Sequence, residues 1–498
     1  MRLLASTALC LVALVAPAFT QPDLAAESHQ GKELMAAGRF EEAIPIYRSL
    51  VRALPDNPGP LLNLGLALHM AGHEREAVSQ FLAVLKLDPG QTPARLYLGT
   101  AYLALKEPRN AVDPLQAVVR TEPRNQEARL ALGEALLAVE RFQLAADNFE
   151  RLARLTPEEP QVWNGLGLSY EGLAGRSFER LEKLALGSAY WLVLVAEARA
   201  KANQYNQAFY FYRQAHEKMP TLLGVSPAVA EIYRKNGHED WAAVEEDKER
   251  KLPAPSCTGA PANLECDFRA GRYHELVSRH ANPNSPETYY WRTRAYNVLA
   301  LQAFSRLAQL PPSAEVYDLV AEIYSRQRKY GEAAREWQKA LNVSPGNDYY
   351  RKQMAIALSK SGQYEEARPI LEKLRRQAGD SVELNYWLGF TLLGLTRAGD
   401  AIPLLEGAVQ RDPTGLSLHR DLARAYLETG QAEKAIPHLK SAVAGDKDGS
   451  IYYQLARAYR SVGQKELERE TLKKFAAIQA SESVEKQNIE EQARITPP

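Results

Sequence analysis

The chain has 498 residues, with 61 Lys and Arg against 61 Asp and Glu, so its formal net charge is zero. That balance removes the electrostatic footprint of a nucleic-acid binder, and an apolar content of 45% argues against wholesale disorder. Three cysteines are too few for a disulfide-dense scaffold. At about 150 residues per domain the length suggests three or four globular domains, a count that the internal pattern contests.

The chain opens with Arg2 and an apolar run from Leu3 to Ala16. The run is too short to cross a hydrocarbon core of about 30 Å as a helix. Ala16-Pro17-Ala18 or Ala18-Phe19-Thr20 supplies small residues for cleavage, so residues 1–20 read as a secretory signal peptide, the alternative being a buried N-terminal helix. Cys10 sits inside the run rather than directly after it, which speaks against lipidation. The expectation is an exported chain, periplasmic or extracellular, with no transmembrane segment after cleavage.

From residue 24 a period takes over. In the frame G-x-(aromatic)-x-x-A, Ala43, Ala77, Ala111 and Ala145 follow one another at intervals of 34, and Ala333, Ala367, Ala401 and Ala435 resume the same spacing. Gly65, Gly99, Gly133, Gly167 and Gly389 hold one slot, while Pro55, Pro89, Pro123, Pro157, Pro220, Pro345 and Pro413 close the unit. A unit of this length holds two helices and a turn. The small residue of the first helix admits the second, and the closing proline has no N–H with which to continue it. One such pair cannot bury both faces, so the pairs must stack.

The period then loosens. A fifth unit is expected to start with a helix over 161–173, followed by a short second helix over 177–186, and the pair over about 223–253 ends in the charged run 245–251. Residues 254–313 break the repeat: a Pro- and Gly-bearing loop carries Cys257 and Cys266, and Trp291, Ala295 and Ala303 suggest one irregular pair. An oxidising compartment permits a disulfide between these two cysteines. Regular units return over 314–480, with Glu468 in the alanine slot and Lys473-Lys474 after it, as suits a solvent-facing cap. The polar tail over 481–498 is expected to fray.

The pattern resembles the tetratricopeptide repeat family. The resemblance rests on Leu64-Gly65, Tyr102, Trp163 with Gly167 and Tyr170, and Ala333 with Trp337, and it covers about residue 24 to residue 480. It implies an all-α, right-handed α-solenoid of about 12–13 helix pairs, as one stack or as two arrays (24–253 and 314–480) around the irregular middle.

No catalytic constellation stands out. The chain lacks a phosphate loop, an H-E-x-x-H helix and a G-x-S-x-G elbow, its nine histidines are scattered, and Gly445-Asp446-Lys447-Asp448-Gly449 lacks the later ligands of a calcium loop. The reading is a non-enzyme with no catalytic residue, cofactor or metal.

In the family that the chain resembles, the first helix of each pair lines a concave groove that takes peptides. The inner positions offer Leu62, Asn63, Leu66, Leu96 and Thr100 in the first third, Glu197, Glu231, Asp318 and Glu322 in the middle, and Tyr386, Phe390, Arg420, Arg424, Tyr453 and Arg457 in the last third. Tyrosine and arginine are favoured at binding hot spots, and three arginines can hold carboxylates bidentately, so an acidic peptide segment is the sharper expectation. The plainer one is that the arginines pair with neighbours such as Asp421 and Glu428. The family's chaperone-tail clamp is not reproduced: Ser28 and Lys32 depart from its first helix, and Pro93 and Tyr97 from its third. The expected function is an exported scaffold or adaptor for protein or peptide partners. Alternatives are an accessory subunit of an envelope secretion, polysaccharide-export or proteolysis complex, or a carbohydrate-binding solenoid using Trp163, Tyr190, Trp191 and Tyr386.

Overall fold

The computed structural model describes residues 23–253, 257, 263–279, 282–379, 381–492 and 495–498, the side chains of 481–492 excepted. The leader expected over 1–20 and most of the cysteine loop lie outside the described residues. Among the described residues the chain forms 26 α-helices, one 3-10 turn and no strand, an all-α solenoid. It divides into two compact units, Met1–Asn148 and Phe149–Pro498.

The first unit stacks the pairs Leu24–Ala36 with Phe40–Ala53, Pro58–Met70 with Glu74–Leu87, and Thr92–Ala104 with Pro108–Thr121, followed by Gln126–Ala138. Three of the four first helices begin on side-chain caps: Asp23 accepts from the amides of Ala25 and Ala26, Asn57 from Gly59 and Asn125 from Ala128, while Thr92–Ala104 starts on Thr92-Pro93 without one. Second helices need none, because the turn before them closes on backbone. The amides of Arg39, His73, Glu107 and Arg141 return to the carbonyls of Leu34, Leu68, Tyr102 and Leu136 at 2.8–2.9 Å. The return requires a left-handed residue just before each of these amides. Gly38 and Gly72 supply it without strain, whereas Lys106 and Glu140 hold φ of 60° and 58°.

Close approach of the two helices sets the thickness of each pair. A Cβ on Gly31 would lie 2.9 Å from the Tyr47 ring, one on Gly65 2.6 Å from Phe81, and one on Gly99 2.4 Å from Leu115. The same contact recurs in the second unit between Gly389 and Leu405, at 2.7 Å.

A second fastening recurs at five of the closing prolines. The carbonyl of the closing proline accepts a bond from the side chain six residues on. Arg95 reaches Pro89, Arg129 reaches Pro123 at 2.6 Å, the Trp163 indole reaches Pro157 at 2.7 Å, Arg351 reaches Pro345, and His419 reaches Pro413 at 2.9 Å. Each of these bonds satisfies a turn carbonyl just before the next first helix.

The second unit corrects the reading of the middle. No short second helix forms over 177–186. Helix Pro160–Ala185 runs unbroken, because the place where the period puts the turn falls on Ala174, which is buried. Trp291, Ala295 and Ala303 likewise belong to one long helix, Pro286–Ala308, which packs along Pro160–Ala185. A Cβ on Gly167 would meet Phe304 at 2.3 Å. Phe304 therefore fills the second-helix slot of the fifth pair, from far along the chain. Between these long partners lie the pairs Ala189–Lys201 with Tyr205–Lys218, Val225–Lys235 with Glu239–Arg250, and the short Leu264–Arg269 with Tyr273–Ser278.

Helices of one and a half turns are not stable alone, and the last of these pairs is fastened at several points. Cys257 and Cys266 are joined by a disulfide, with Cα atoms 5.6 Å apart. Asp267, only 1% exposed, accepts from Arg272 at 2.7 Å and Arg279 at 2.7 Å. Phe268 lies against Trp291, with ring centroids 5.2 Å apart.

The C-terminal pairs follow: Ala314–Arg326 with Tyr330–Val343, Asp348–Lys360 with Tyr364–Ala378, Val382–Gly394 with Ala398–Arg411, Leu416–Glu428 with Ala432–Ala442, and Ser450–Ser461 with Lys465–Gln492. The last helix corrects the expectation of a frayed tail over 481–498. It continues to Gln492, as a stretch with Glu, Lys and Gln and without proline or glycine favours.

The glycine contact makes a paired prediction. Gly99→Ala gains about 1 kcal/mol in helix propensity but overpacks Leu115, at a typical cost of 1–3 kcal/mol, so urea unfolding is expected to show a net loss of about 1 kcal/mol. Gly175→Ala, within helix Pro160–Ala185 and with nothing within 4 Å of its new Cβ, is expected to gain up to about 1 kcal/mol. Equal effects of the two would contradict the close-approach account.

Candidate functional site

Helices Val382–Gly394, Leu416–Glu428 and Ser450–Ser461 carry the six residues singled out in the last third of the chain. Each helix presents its two at i and i+4, on one face. Tyr386 and Phe390 form an aromatic wall with neighbours that the sequence reading did not name. The Phe390 ring lies 6.3 Å from Tyr364, 6.3 Å from Tyr386 and 5.6 Å from Trp387. The Lys360 ammonium stands 5.1 Å over the Trp387 ring, and burial holds its pKa below the usual lysine value.

The arginines are not equivalent. Arg420 lays its fork on Asp421, Nε to Oδ1 at 2.9 Å and Nη2 to Oδ2 at 3.2 Å. Asp421 is 4% exposed and also accepts from the Tyr386 hydroxyl at 3.0 Å. Burial, followed by the Asp421 charge, pushes the Tyr386 pKa up, so the hydroxyl remains a donor. Arg420 thus covers a buried carboxylate, and removing it would leave that charge poorly compensated. Arg424 pairs with Glu428 at 2.7 Å on its own helix, both side chains being substantially exposed. Such a pair contributes about 0–1 kcal/mol, so Arg424 turns to a ligand at little cost. Arg457 is exposed and has no ion pair among the described residues. Tyr453 is 46% exposed, its ring 5.4 Å from Phe475.

Elsewhere the groove positions are mostly committed. Leu96 is buried, 6% exposed, and offers nothing to a ligand, which corrects its placement on an open inner face. Glu197 pairs with Arg294 at 3.2 Å. That arginine also meets the Tyr290 hydroxyl at 3.0 Å and lies over the Phe268, Tyr290 and Trp291 rings. Glu231 pairs with Arg234 and Lys235. Asp318 accepts from the Trp337 indole at 2.7 Å, and Glu322 from the Tyr349 hydroxyl at 3.3 Å. Burial raises the pKa of both carboxyls, and the Asp318 charge adds to the effect on Glu322.

Three of the four aromatic residues offered for carbohydrate binding have partners within the fold. Trp163 donates to Pro157, the Tyr190 ring lies 5.0 Å from Tyr290, and the Trp191 indole meets Glu182 at 3.3 Å. The calcium-like loop is built into a helix start: Asp448 accepts from the Ser450 amide at 3.0 Å and Asp446 from the Tyr452 amide at 2.9 Å. Among the described residues no group of three or more His, Cys, Asp or Glu could hold a metal, and no helix is long and apolar enough to cross a membrane.

Two pairings escaped the sequence. Arg129 meets Asn148 at 3.2 Å, and His419 meets His438 at 2.8 Å between their Nδ1 atoms. Both pairs are separated by 19 residues, and both first members also hold a closing proline, so the spacing was the available signal.

Tetratricopeptide repeat families match residues 29–92, 96–160 and 130–177, then 324–386 and 392–459, then 449–482. A TPR repeat-containing protein, YpiA of Bacillus subtilis (strain 168), is 23% identical over 206 residues, which is 40% of this chain and 48% of that protein. The chain thus spans about half the length of this curated relative. Among solved structures, MamA 41-end from Desulfovibrio magneticus RS-1 is 28% identical, covering 30% of this chain and 84% of its own, with a TM-score of 0.29. A crystal structure of MamA protein is 21% identical, covering 40% and 92%, with a TM-score of 0.29.

The acidic pair carries a pH prediction. A carboxyl whose folded pKa is raised stabilises the fold fully below its unfolded pKa of about 4, and that contribution is lost as pH rises through the folded value. Asp318→Asn with Glu322→Gln keeps both acceptor oxygens. The double variant is therefore expected to raise the melting temperature at pH 7 and to leave it close to the parent's at pH 3.5. A lower melting temperature at pH 7 would show instead that the two charges stabilise the fold.

Proposed function

We propose that this chain, which belongs to the tetratricopeptide repeat family, is a non-catalytic exported scaffold that holds an acidic protein or peptide segment in the groove of its C-terminal pairs. A protein-interaction scaffold in general follows from the repeats. The observation that carries the finer reading is the pairing of an aromatic wall (Tyr364, Tyr386, Trp387, Phe390) with two available guanidinium groups on the next two first helices, Arg424 and Arg457. Aromatic anchors supply contact area at low entropy cost, and arginine reads carboxylates bidentately. Arg420 is assigned to positioning, because it holds Asp421 and through it Tyr386. Export is supported by the leader-like residues 1–20 and by the Cys257–Cys266 disulfide, since such bonds persist in oxidising compartments.

The test is binding of synthetic eight-residue peptides with two aromatic and four acidic positions, read by fluorescence anisotropy at low salt. Arg424→Ala with Arg457→Ala is expected to weaken binding at least tenfold and to leave the melting temperature within a few degrees, because both side chains are exposed. Arg420→Ala is expected to lower the melting temperature as well, by uncovering Asp421. Undiminished binding by the Arg424/Arg457 variant, or no binding by the parent chain at millimolar peptide, would sink the reading.

A further inference from the structure

A second groove lies in the second unit, away from the residues just described, and it is occupied by the chain itself. Helices Tyr205–Lys218, Val225–Lys235 and Glu239–Arg250 form its walls, and Thr496, Pro497 and Pro498 lie within it. The Tyr233 hydroxyl donates to the carbonyl of Thr496 at 2.8 Å. Ile495 is half-buried against the apolar cluster that contains Phe209, Tyr212, Val229 and Tyr233. An open cavity of about 140 Å³ remains beside the seated segment.

The period shows why this groove accepts a strand of chain. In two other pairs the tyrosine of this slot is satisfied from within the solenoid. Tyr170 donates to Glu150 at 2.7 Å, and Tyr426 donates to Glu406, each acceptor standing 20 residues earlier. Twenty residues before Tyr233 stands Arg213, which has no acceptor to offer. A buried hydroxyl must find a partner, and here the partner is the backbone of an extended segment. Burial, with the Glu245 carboxylate adding to it, pushes the Tyr233 hydroxyl up to about 12, which keeps it a donor at neutral pH. Helix Lys465–Gln492 comes back against helix Tyr205–Lys218 and ends just before the segment, so delivery is intramolecular.

We propose that this groove is a peptide-binding site for an extended segment that pairs a β-branched residue with Thr-Pro, and that Ile495–Pro498 is its resident occupant, which a ligand of the same chemistry must displace. The site is independent of the arginine-bearing groove and stands or falls separately from it. A short tether supplies an effective concentration in the millimolar range, so a free peptide that binds the emptied groove at about 0.1 mM meets about tenfold competition from the tethered copy.

The experiment compares three chains for binding of a fluorescent peptide spanning residues 491–498: the full chain, a chain ending at Gln492, and the full-length Ile495→Asp variant, whose segment is released without shortening. Both altered chains are expected to bind the peptide about tenfold more tightly than the full chain. Tyr233→Phe, added to the shortened chain, is expected to weaken the peptide two- to tenfold, while Arg424→Ala with Arg457→Ala leaves it unchanged. Two results overturn the proposal: no binding by the shortened chain and the Ile495→Asp variant at millimolar peptide, or equal binding by all three chains. If the shortened chain does not fold, the Ile495→Asp variant decides alone.

Discussion

In one pair after another, the bare backbone of a first-helix glycine lies against a large side chain sixteen residues further on. Gly31 with Tyr47, Gly65 with Phe81, Gly99 with Leu115 and Gly389 with Leu405 all repeat the contact. Everything else in the stack is arranged around this approach. It fixes how near the two helices lie and hence how long the turn between them must be. The turn then demands a left-handed residue, and the chain keeps one even where the residue is Lys106, Arg328 or Thr396 rather than glycine. Such positions store backbone strain, which persists because the packed pairs on either side hold the turn in place.

The fifth pair shows that the contact matters more than the order of the chain. Gly167 still meets an aromatic ring, but the ring is that of Phe304. The intervening pairs loop out and return, and Pro286–Ala308 takes the place that a neighbouring helix holds elsewhere. The looped-out region then needs fastenings of its own. Arg294 gathers Glu197, the Tyr290 hydroxyl and three aromatic faces, and Asp267 gathers two arginines beside the disulfide. Glu197, which its groove position would leave available to a ligand, is here one of the bolts of the fold.

The same competition between fold and ligand sorts the candidate site. Arg420 and Arg424 look alike along the chain, since each stands 34 residues after an aromatic groove residue. They differ in what lies next to them. Asp421 is buried and draws Arg420 and Tyr386 together, whereas Glu428 is exposed and holds Arg424 weakly. Slot position can be read from the period, but the burial of Asp421 and its bond to Tyr386 of the preceding pair cannot. The groove occupied by Ile495–Pro498 was hidden for a related reason. The exchange of Glu for Arg213 twenty residues before a tyrosine is visible in the sequence, yet nothing local says which carbonyl replaces the lost acceptor.

The sequence by itself determined the repeating unit, its length, its turn and its small-against-large contact, because these depend on residues within one period of each other. It also determined the class of surface that such a stack presents. Tertiary structure alone decided that the fifth pair is completed by Phe304, that Pro160–Ala185 does not break, which arginines are spent, and where Ile495–Pro498 comes to rest. Phe304 against Gly167, Tyr386 on Asp421 and Tyr233 on Thr496 each join residues far apart in the chain, and each contact was settled by the demand that a buried ring, charge or hydroxyl find a partner, a demand that periodicity does not express by itself.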